Sequence, residues 1–133
     1  MIAVYETSTK KVRFELEEQS IIFLHFLAPG SDDAEHARMA HDVATTFEQL
    51  KKEHENEKPY RVLVDLSHAG MPSSEARTIY IKTLSDHSIL KTAFFGAPSA
   101  IQAVVSFIAS ASGRGDEVQF FVGEKEARDW LVR

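Results

Sequence analysis

The segment that most constrains this chain is the run over residues 60–77, YRVLVDLSHAGMPSSEAR. It opens with an apolar stretch, continues through one acid and small polar residues, and reaches a serine pair where a helical pattern starts. This pattern is typical of a buried parallel strand and its connection to a helix. Because α/β folds usually place their sites at the carboxyl ends of such strands, the run predicts an α/β domain and a candidate site.

Apolar patterns predict the other elements. Residues 12–16 alternate apolar and polar side chains, as a half-exposed strand does, whereas residues 20–27 are almost continuously apolar, as in a strand covered on both faces. We expect these two strands to form a hairpin. The remaining predicted strands are residues 61–66, 92–96 and 118–122, and the predicted helices are residues 33–53, 74–86, 99–112 and 124–132.

The resulting order, β-β-α-β-α-β-α-β-α, predicts a single α/β domain over residues 1–133. Strands that alternate with helices imply a mostly parallel sheet with right-handed crossovers. We expect a five-stranded sheet in which the first strand is antiparallel and lies at an edge. Ser31, Asp32 and Asp33 supply the N-cap of the first helix.

Composition excludes several classes of function. The chain has no cysteine, so disulfides and zinc–thiolate sites are excluded. Its net charge of −5 argues against nucleic acid as a main partner, because phosphate binding needs a basic face. The first residues lack the apolar core of a secretory signal, so we expect a cytoplasmic protein. The uncharged stretch over residues 92–113 contains Gly96, Pro98 and Gln102, so we do not expect it to span a membrane.

The candidate edge after the central strand contains Asp65, Ser67, His68, Ser73 and Ser74. A serine pair at a helix N-terminus can bind or carry an anion, because backbone N–H groups and the helix dipole favour negative charge there. The structural alternative is that one serine caps the helix. Asp65 can contact a ligand or satisfy the backbone of its own turn. The residues leave both interpretations open.

The sequence contains no arrangement of residues that is typical of a particular reaction. The chain has no glycine-rich phosphate loop and no G-x-S-x-G nucleophile motif. His36 follows Asp32 by one helical turn, but two ligands are too few for a metal site. His25 lies within a strand and is expected to be a hydrogen-bonded core residue, which leaves His68 as the one histidine near the edge that could act as an acid or base. We predict no catalytic residue, no metal and no cofactor.

The helix over residues 99–112 carries no charged residue. An uncharged, small-residue face suggests a contact surface for a partner. The alternative is a helix that its neighbours bury on both sides. The candidate partner surface consists of Gln102, Ala103, Ser106, Phe107 and Ser110.

The element order, the segment VLVDLSHAGMPSSEAR and the closing FFVGEKEARDWL resemble the SpoIIAA-like family, within the STAS class of anti-sigma-factor-antagonist domains. In that class a D-S-S-G turn carries a serine that a partner kinase phosphorylates. The resemblance implies that Ser74 matches this serine and Ser73 its neighbour, while Pro72 and Glu75 stand where the class has Asp and Gly. The fold is also similar to lipid-binding domains of the CRAL-TRIO type, which implies a small apolar ligand.

These observations predict first a non-enzymatic regulatory module of the STAS type. It would work through Asp65–Ser74 and bind a protein partner, of the kinase or sigma-regulatory kind, or a second copy of itself. The alternative is a carrier or sensor of a lipid or other small apolar molecule, suggested by the uncharged stretch and by the phenylalanines at positions 94, 95, 107, 120 and 121. An enzyme is the third interpretation, and no nucleophile–base pair supports it.

Overall fold

The computed structural model describes residues 1–133 and contains six strands and four helices. The strands are β1 (Ala3–Glu6), β2 (Val12–Glu17), β3 (Ile21–Phe26), β4 (Tyr60–Asp65), β5 (Ile89–Phe95) and β6 (Val118–Phe121). The helices are α1 (Asp33–Glu53), α2 (Ser74–Leu84), α3 (Ser99–Ala111) and α4 (Glu124–Leu131). The prediction of an α/β fold is therefore confirmed.

All six strands form one mixed sheet in the order β1-β2-β3-β4-β5-β6. The strands β3 to β6 are parallel, and β2 is antiparallel to both of its neighbours. The predicted count of five strands was wrong, because β1 was missed. The antiparallel strand was identified correctly, but it does not lie at the edge, since β1 pairs along its outer side with Ala3 opposite Leu16.

The missed strand β1 has only four residues, AVYE, with alternating half-buried and exposed side chains. Ala3 and Tyr5 pack against the core, while Val4 points to solvent and is 52% exposed. An alternation of apolar and polar residues over only four positions is weak evidence for a strand. Pairing with β2 stabilises it, because its backbone hydrogen bonds need a neighbouring strand.

The helices α1, α2 and α3 lie on one face of the sheet, which we call the front face, and α4 lies on the back face. This division follows from topology, because three successive right-handed crossovers that each advance one strand in the same direction place their helices on the same side. The front core joins Met39, Val43 and Phe47 of α1 to alternate residues of the strands. On the back, Ala127 and Leu131 of α4 pack on Leu63.

Polar contacts fasten α4 to the back face. Arg128 makes a bidentate ion pair with Glu17, with Nη1–Oε1 and Nη2–Oε2 distances of 2.7 and 3.1 Å, and its guanidinium lies over the ring of Phe23. Arg61 Nε donates to the Leu131 carbonyl at 2.8 Å. The bond from Arg61 satisfies a carbonyl that the helix end leaves without an intrahelical partner.

None of the four helices combines the length and apolar character that crossing a lipid bilayer requires.

Candidate functional site

The turn after β4 is held by Asp65. One of its carboxylate oxygens accepts hydrogen bonds from the backbone N–H of Ser67 at 2.9 Å and from the Ser67 hydroxyl at 2.6 Å. Gly96, which ends β5 with a φ of +78°, approaches this turn so closely that an added Cβ would lie 3.2 Å from the Ser67 Cβ. Asp65 therefore has the turn-forming role that was the structural alternative for it.

The two serines at the start of α2 make different hydrogen bonds. The Ser73 hydroxyl oxygen accepts a hydrogen bond from the backbone N–H of Ala76 at 3.2 Å and caps the helix. Ser74 is exposed, and its hydroxyl oxygen accepts from Arg77 Nη2 at 3.3 Å. The cap is thus Ser73, which leaves the Ser74 hydroxyl outside that role.

The residues between the turn and the helix, 66–73, form what we call the strand-end loop. The loop packs against the connection between β3 and α1 and against the first turn of α1. A Cβ added to Gly70 would lie 2.6 Å from Pro29 Cβ and 3.1 Å from His36 Cε1. A Cβ on Gly30 would also meet the His36 ring, at 2.9 Å. The ring of His36 therefore lies close to the backbone of two glycines.

The histidines do not form a metal site with the acids. The Asp32 carboxylate accepts from the backbone N–H of Glu35 at 2.8 Å, so it caps α1. No group of three His, Asp or Glu side chains in the structure is arranged to hold a metal ion. His68 is exposed on the strand-end loop. His25 is half-buried on the back face, where its Nε2 lies 2.9 Å from a Glu15 carboxylate oxygen, so the predicted hydrogen bond is present.

Behind the strand-end loop lies an apolar cavity, a feature that the carrier alternative requires but that the sequence did not place. Its volume is about 120 Å³, and it is enclosed by β2 to β5 of the front face and by α1, α2 and α3. Of the 23 residues that line it, 18 are hydrophobic, and none is Asp, Glu, Lys or Arg. The loop itself supplies part of the wall through Leu66, Ala69, Gly70 and Pro72.

The cavity comes nearest to the surface at the candidate edge. Most of the lining residues that are only partly buried lie there: Phe26, His36, Ala69, Gly70 and Pro72. The residues that line the cavity from the middle of the sheet, such as Ile22 and Val62, are buried. The strand-end loop therefore covers the side of the cavity that has the shortest path to solvent.

Few polar side chains reach the cavity wall. Thr83 Oγ1 donates to the Ile79 carbonyl within α2 at 2.9 Å. Burial raises the pKa of the Tyr80 hydroxyl far above its ordinary value, so that group stays protonated at physiological pH. Thr92 is only 2% exposed and contributes from β5.

The outer side of α3 is exposed, so its neighbours do not bury it on both sides. All five residues of the predicted partner surface are exposed, and Phe107 retains 61% of its surface. Its inner residues Ile101, Val105 and Ile108 are buried against the sheet and α2. Two separate features thus accompany the strand-end loop: the cavity beneath it and the uncharged face of α3.

No model of a known protein family matches this chain, and no curated protein sequence matches it either.

Proposed function

We propose that the protein is a non-enzymatic binding module that holds one small apolar molecule between the front face of the sheet and the helices α1 to α3. The observation that carries this proposal is the apolar cavity of about 120 Å³. A well-formed apolar pocket with a few polar groups is the usual form of a small-molecule site. The second interpretation of the sequence, a carrier or sensor of an apolar ligand, is the one that this geometry favours.

The size of the cavity limits the ligand. An engineered cavity of about 150 Å³ lined by Leu, Ile and Phe stays dry and binds benzene. The cavity here is somewhat smaller and similarly lined, so it suits a single aromatic ring or a short hydrocarbon. A long acyl chain would need a larger space, which narrows the carrier hypothesis from lipids in general to small molecules.

The strand-end loop would change its conformation when a ligand enters the cavity. Leu66, Ala69, Gly70 and Pro72 contact the cavity on one side, while Ser67, His68 and Ser74 are exposed on the other. A ligand that displaces any of the four wall residues would therefore shift the exposed residues between β4 and α2. This arrangement supports a sensor whose output is the shape of the edge at Asp65–Ser74.

The test is thermal unfolding with toluene as the probe. Binding to the folded state alone stabilises it by mass action, so toluene at ten times its Kd should raise the Tm by roughly 5 °C. Val105→Phe, which fills the cavity from α3, should abolish the rise, whereas Ala103→Phe adds the same ring to the exposed side of that helix and should retain it. An unchanged Tm across the soluble range of toluene would exclude this function.

A second candidate is a regulatory module of the STAS type, and the specific observation in its favour is the exposed Ser74. Because Ser73 caps α2, the Ser74 hydroxyl is free to be modified without loss of the cap. A phosphate there would lie at the helix N-terminus and near Arg77. Under this proposal a kinase or sigma-regulatory protein binds the edge, with the exposed face of α3 as a second contact or as a homodimer surface.

The regulatory candidate is tested by mapping phosphate on protein purified from its own cells. One phosphate on Ser74, together with altered partner binding in Ser74→Asp and Ser74→Ala, is the expected result. Thr78→Ala is the control, because it removes another exposed hydroxyl from the same helix. Unmodified Ser74, with partner binding the same in both variants, would count against the switch.

A further inference from the structure

The buried hydroxyl of Thr92 is the most unusual polar group near the cavity. Thr92 retains only 2% of its surface. Its hydroxyl takes part in none of the side-chain hydrogen bonds of the structure. Yet every side-chain nitrogen or oxygen that is completely buried in the structure has a hydrogen-bond partner. The little accessible surface of Thr92 therefore includes its hydroxyl, and Thr92 is a wall residue of the cavity. A hydroxyl in such a position lacks a partner that burial normally demands.

Tyr80 is a second wall residue that carries a hydroxyl, and it belongs to α2, in the helix layer that faces the sheet across the cavity. Its ring packs edge-on against Phe26 with centroids 6.1 Å apart. The Tyr80 hydroxyl, like that of Thr92, makes no hydrogen bond with another protein atom. Thr83 differs from both, because its hydroxyl is already satisfied by the Ile79 carbonyl.

The same wall excludes charge. No acidic residue, lysine or arginine lines the cavity, and its one imidazole, that of His36, belongs to the partly exposed rim at the strand-end loop. A carboxylate or ammonium ion placed inside would lose its hydration without gaining an ion-pair partner, which is strongly unfavourable. A neutral hydroxyl needs only one or two hydrogen bonds, which a free hydroxyl of the wall can make.

We infer that the cavity selects a neutral aromatic molecule of one ring that carries a hydroxyl group, and that Thr92 and Tyr80 bind this hydroxyl. The inference rests on the proposed binding function and names its ligand class. The ring contacts the apolar wall. The ligand hydroxyl replaces the partner that the two side chains lack, which distinguishes this cavity from a purely hydrocarbon one.

Phenol and toluene test this selectivity, because they have nearly the same shape and differ by a hydroxyl in place of a methyl group. Their Kd values would be measured by calorimetry on the full chain and on Thr92→Val, a substitution that keeps the side-chain shape. We expect the wild-type protein to bind phenol at least as tightly as toluene. In Thr92→Val the affinity for phenol should fall roughly tenfold, as loss of a hydrogen bond in a buried site predicts, while that for toluene changes less than about threefold.

Tyr80→Phe should weaken phenol binding selectively in the same way. Two controls separate a hydrogen bond from a packing effect: Thr92→Ser keeps the hydroxyl and should keep the preference for phenol, and Thr83→Val removes a hydroxyl that is already satisfied and should leave it unchanged. If Thr92→Val and Tyr80→Phe leave the ratio of the two affinities as in the wild type, the ligand class is wrong while the binding function stands. If neither phenol nor toluene binds, both proposals are overturned.

Discussion

The two faces of the sheet differ in the helices that cover them and in how completely side chains fill the space beneath those helices. The front face is covered by three helices and still contains an apolar cavity of about 120 Å³. The back face is covered by α4, an eight-residue helix, yet Leu63, Ala93, Ala127 and Leu131 are completely buried there. Completely buried side chains, such as Leu16 and Ile22, also occur on the front face, so the difference between the two layers is the cavity that the front helices enclose.

The difference follows from how each layer is held. An isolated helix as short as α4 is marginal in water, so it depends on its contacts with the sheet. Those contacts include the Arg128–Glu17 ion pair and the hydrogen bonds that Arg61 and Lys91 donate to the carbonyls of Leu131 and Trp130. The front helices are longer and are joined to one another as well as to the sheet. A layer that is stable without complete packing can accommodate a ligand.

The sharpest test of this comparison is a pair of leucine truncations. Leu131→Ala removes a completely buried side chain from the back face and should lower the free energy of unfolding by about 3 to 5 kcal/mol. Leu66→Ala removes a side chain that already borders the cavity, so fewer contacts are lost and a cost of about 2 kcal/mol is expected. Urea unfolding measures both. Equal costs would mean that the front face is as tightly packed as the back.

Substitutions that enlarge a side chain should change the free energy of unfolding less than the leucine truncations do. The change should have opposite signs on the two faces. Ala93→Val adds volume to the closely packed back face and should destabilise the protein by about 1 to 3 kcal/mol. Val105→Ile adds one methylene group next to the cavity and should stabilise the folded protein by up to about 0.8 kcal/mol. Destabilisation by Val105→Ile would show that the cavity has no free space on the side of α3.

A third test concerns the ion pair of the front layer, Lys51–Asp86, which joins α1 to the segment after α2. Burial opposes ionisation of Asp86, but hydrogen bonds from Lys51 and Ser88 outweigh it and lower its pKa. A carboxyl with a lowered pKa stabilises the fold above the pKa of the unfolded chain, and this contribution is lost as the pH falls through the folded value.

Asp86→Asn should therefore cost about 1 kcal/mol at neutral pH, as for a partly exposed charged hydrogen bond. The difference from the wild type should shrink below pH of about 4, where the carboxyl becomes protonated. Denaturant unfolding of both proteins across this pH range measures the change. A difference that stays constant down to pH 2 would assign the cost to lost packing instead of lost charge.

Much of the fold could be predicted because its signals are local. The bounds of α1 agree with the predicted residues 33–53, where Asp32 caps the start and the apolar stripe has helical spacing. The strands β3 and β4 were recognised from their continuous apolar runs. The strand β1 was missed because four alternating residues have little local preference, and its stability comes from pairing with β2.

The sequence predicted where the candidate residues lie in the fold, while their role as a functional site stays a prediction. Asp65, Ser73 and Ser74 do lie at the sheet edge, and the choice between capping and free serine was settled by one hydrogen bond to Ala76. The position of the cavity could not be predicted, because each of its apolar residues looks like an ordinary core residue in the sequence. Thr92 gave no signal either, since a threonine in a strand is common.

The sequence by itself determined the α/β class, the four helices, five of the six strands, and the positions of Asp65 at a strand end and Ser74 at a helix start. These depend on periodicity, capping and turn chemistry, which act between residues close together in the chain. Only the tertiary structure decided which face each helix covers, how closely each face is packed and which hydroxyls lack a partner. Those properties depend on the volume enclosed by side chains from β2 to β5 and α1 to α3, and elements that are distant in sequence enclose it together.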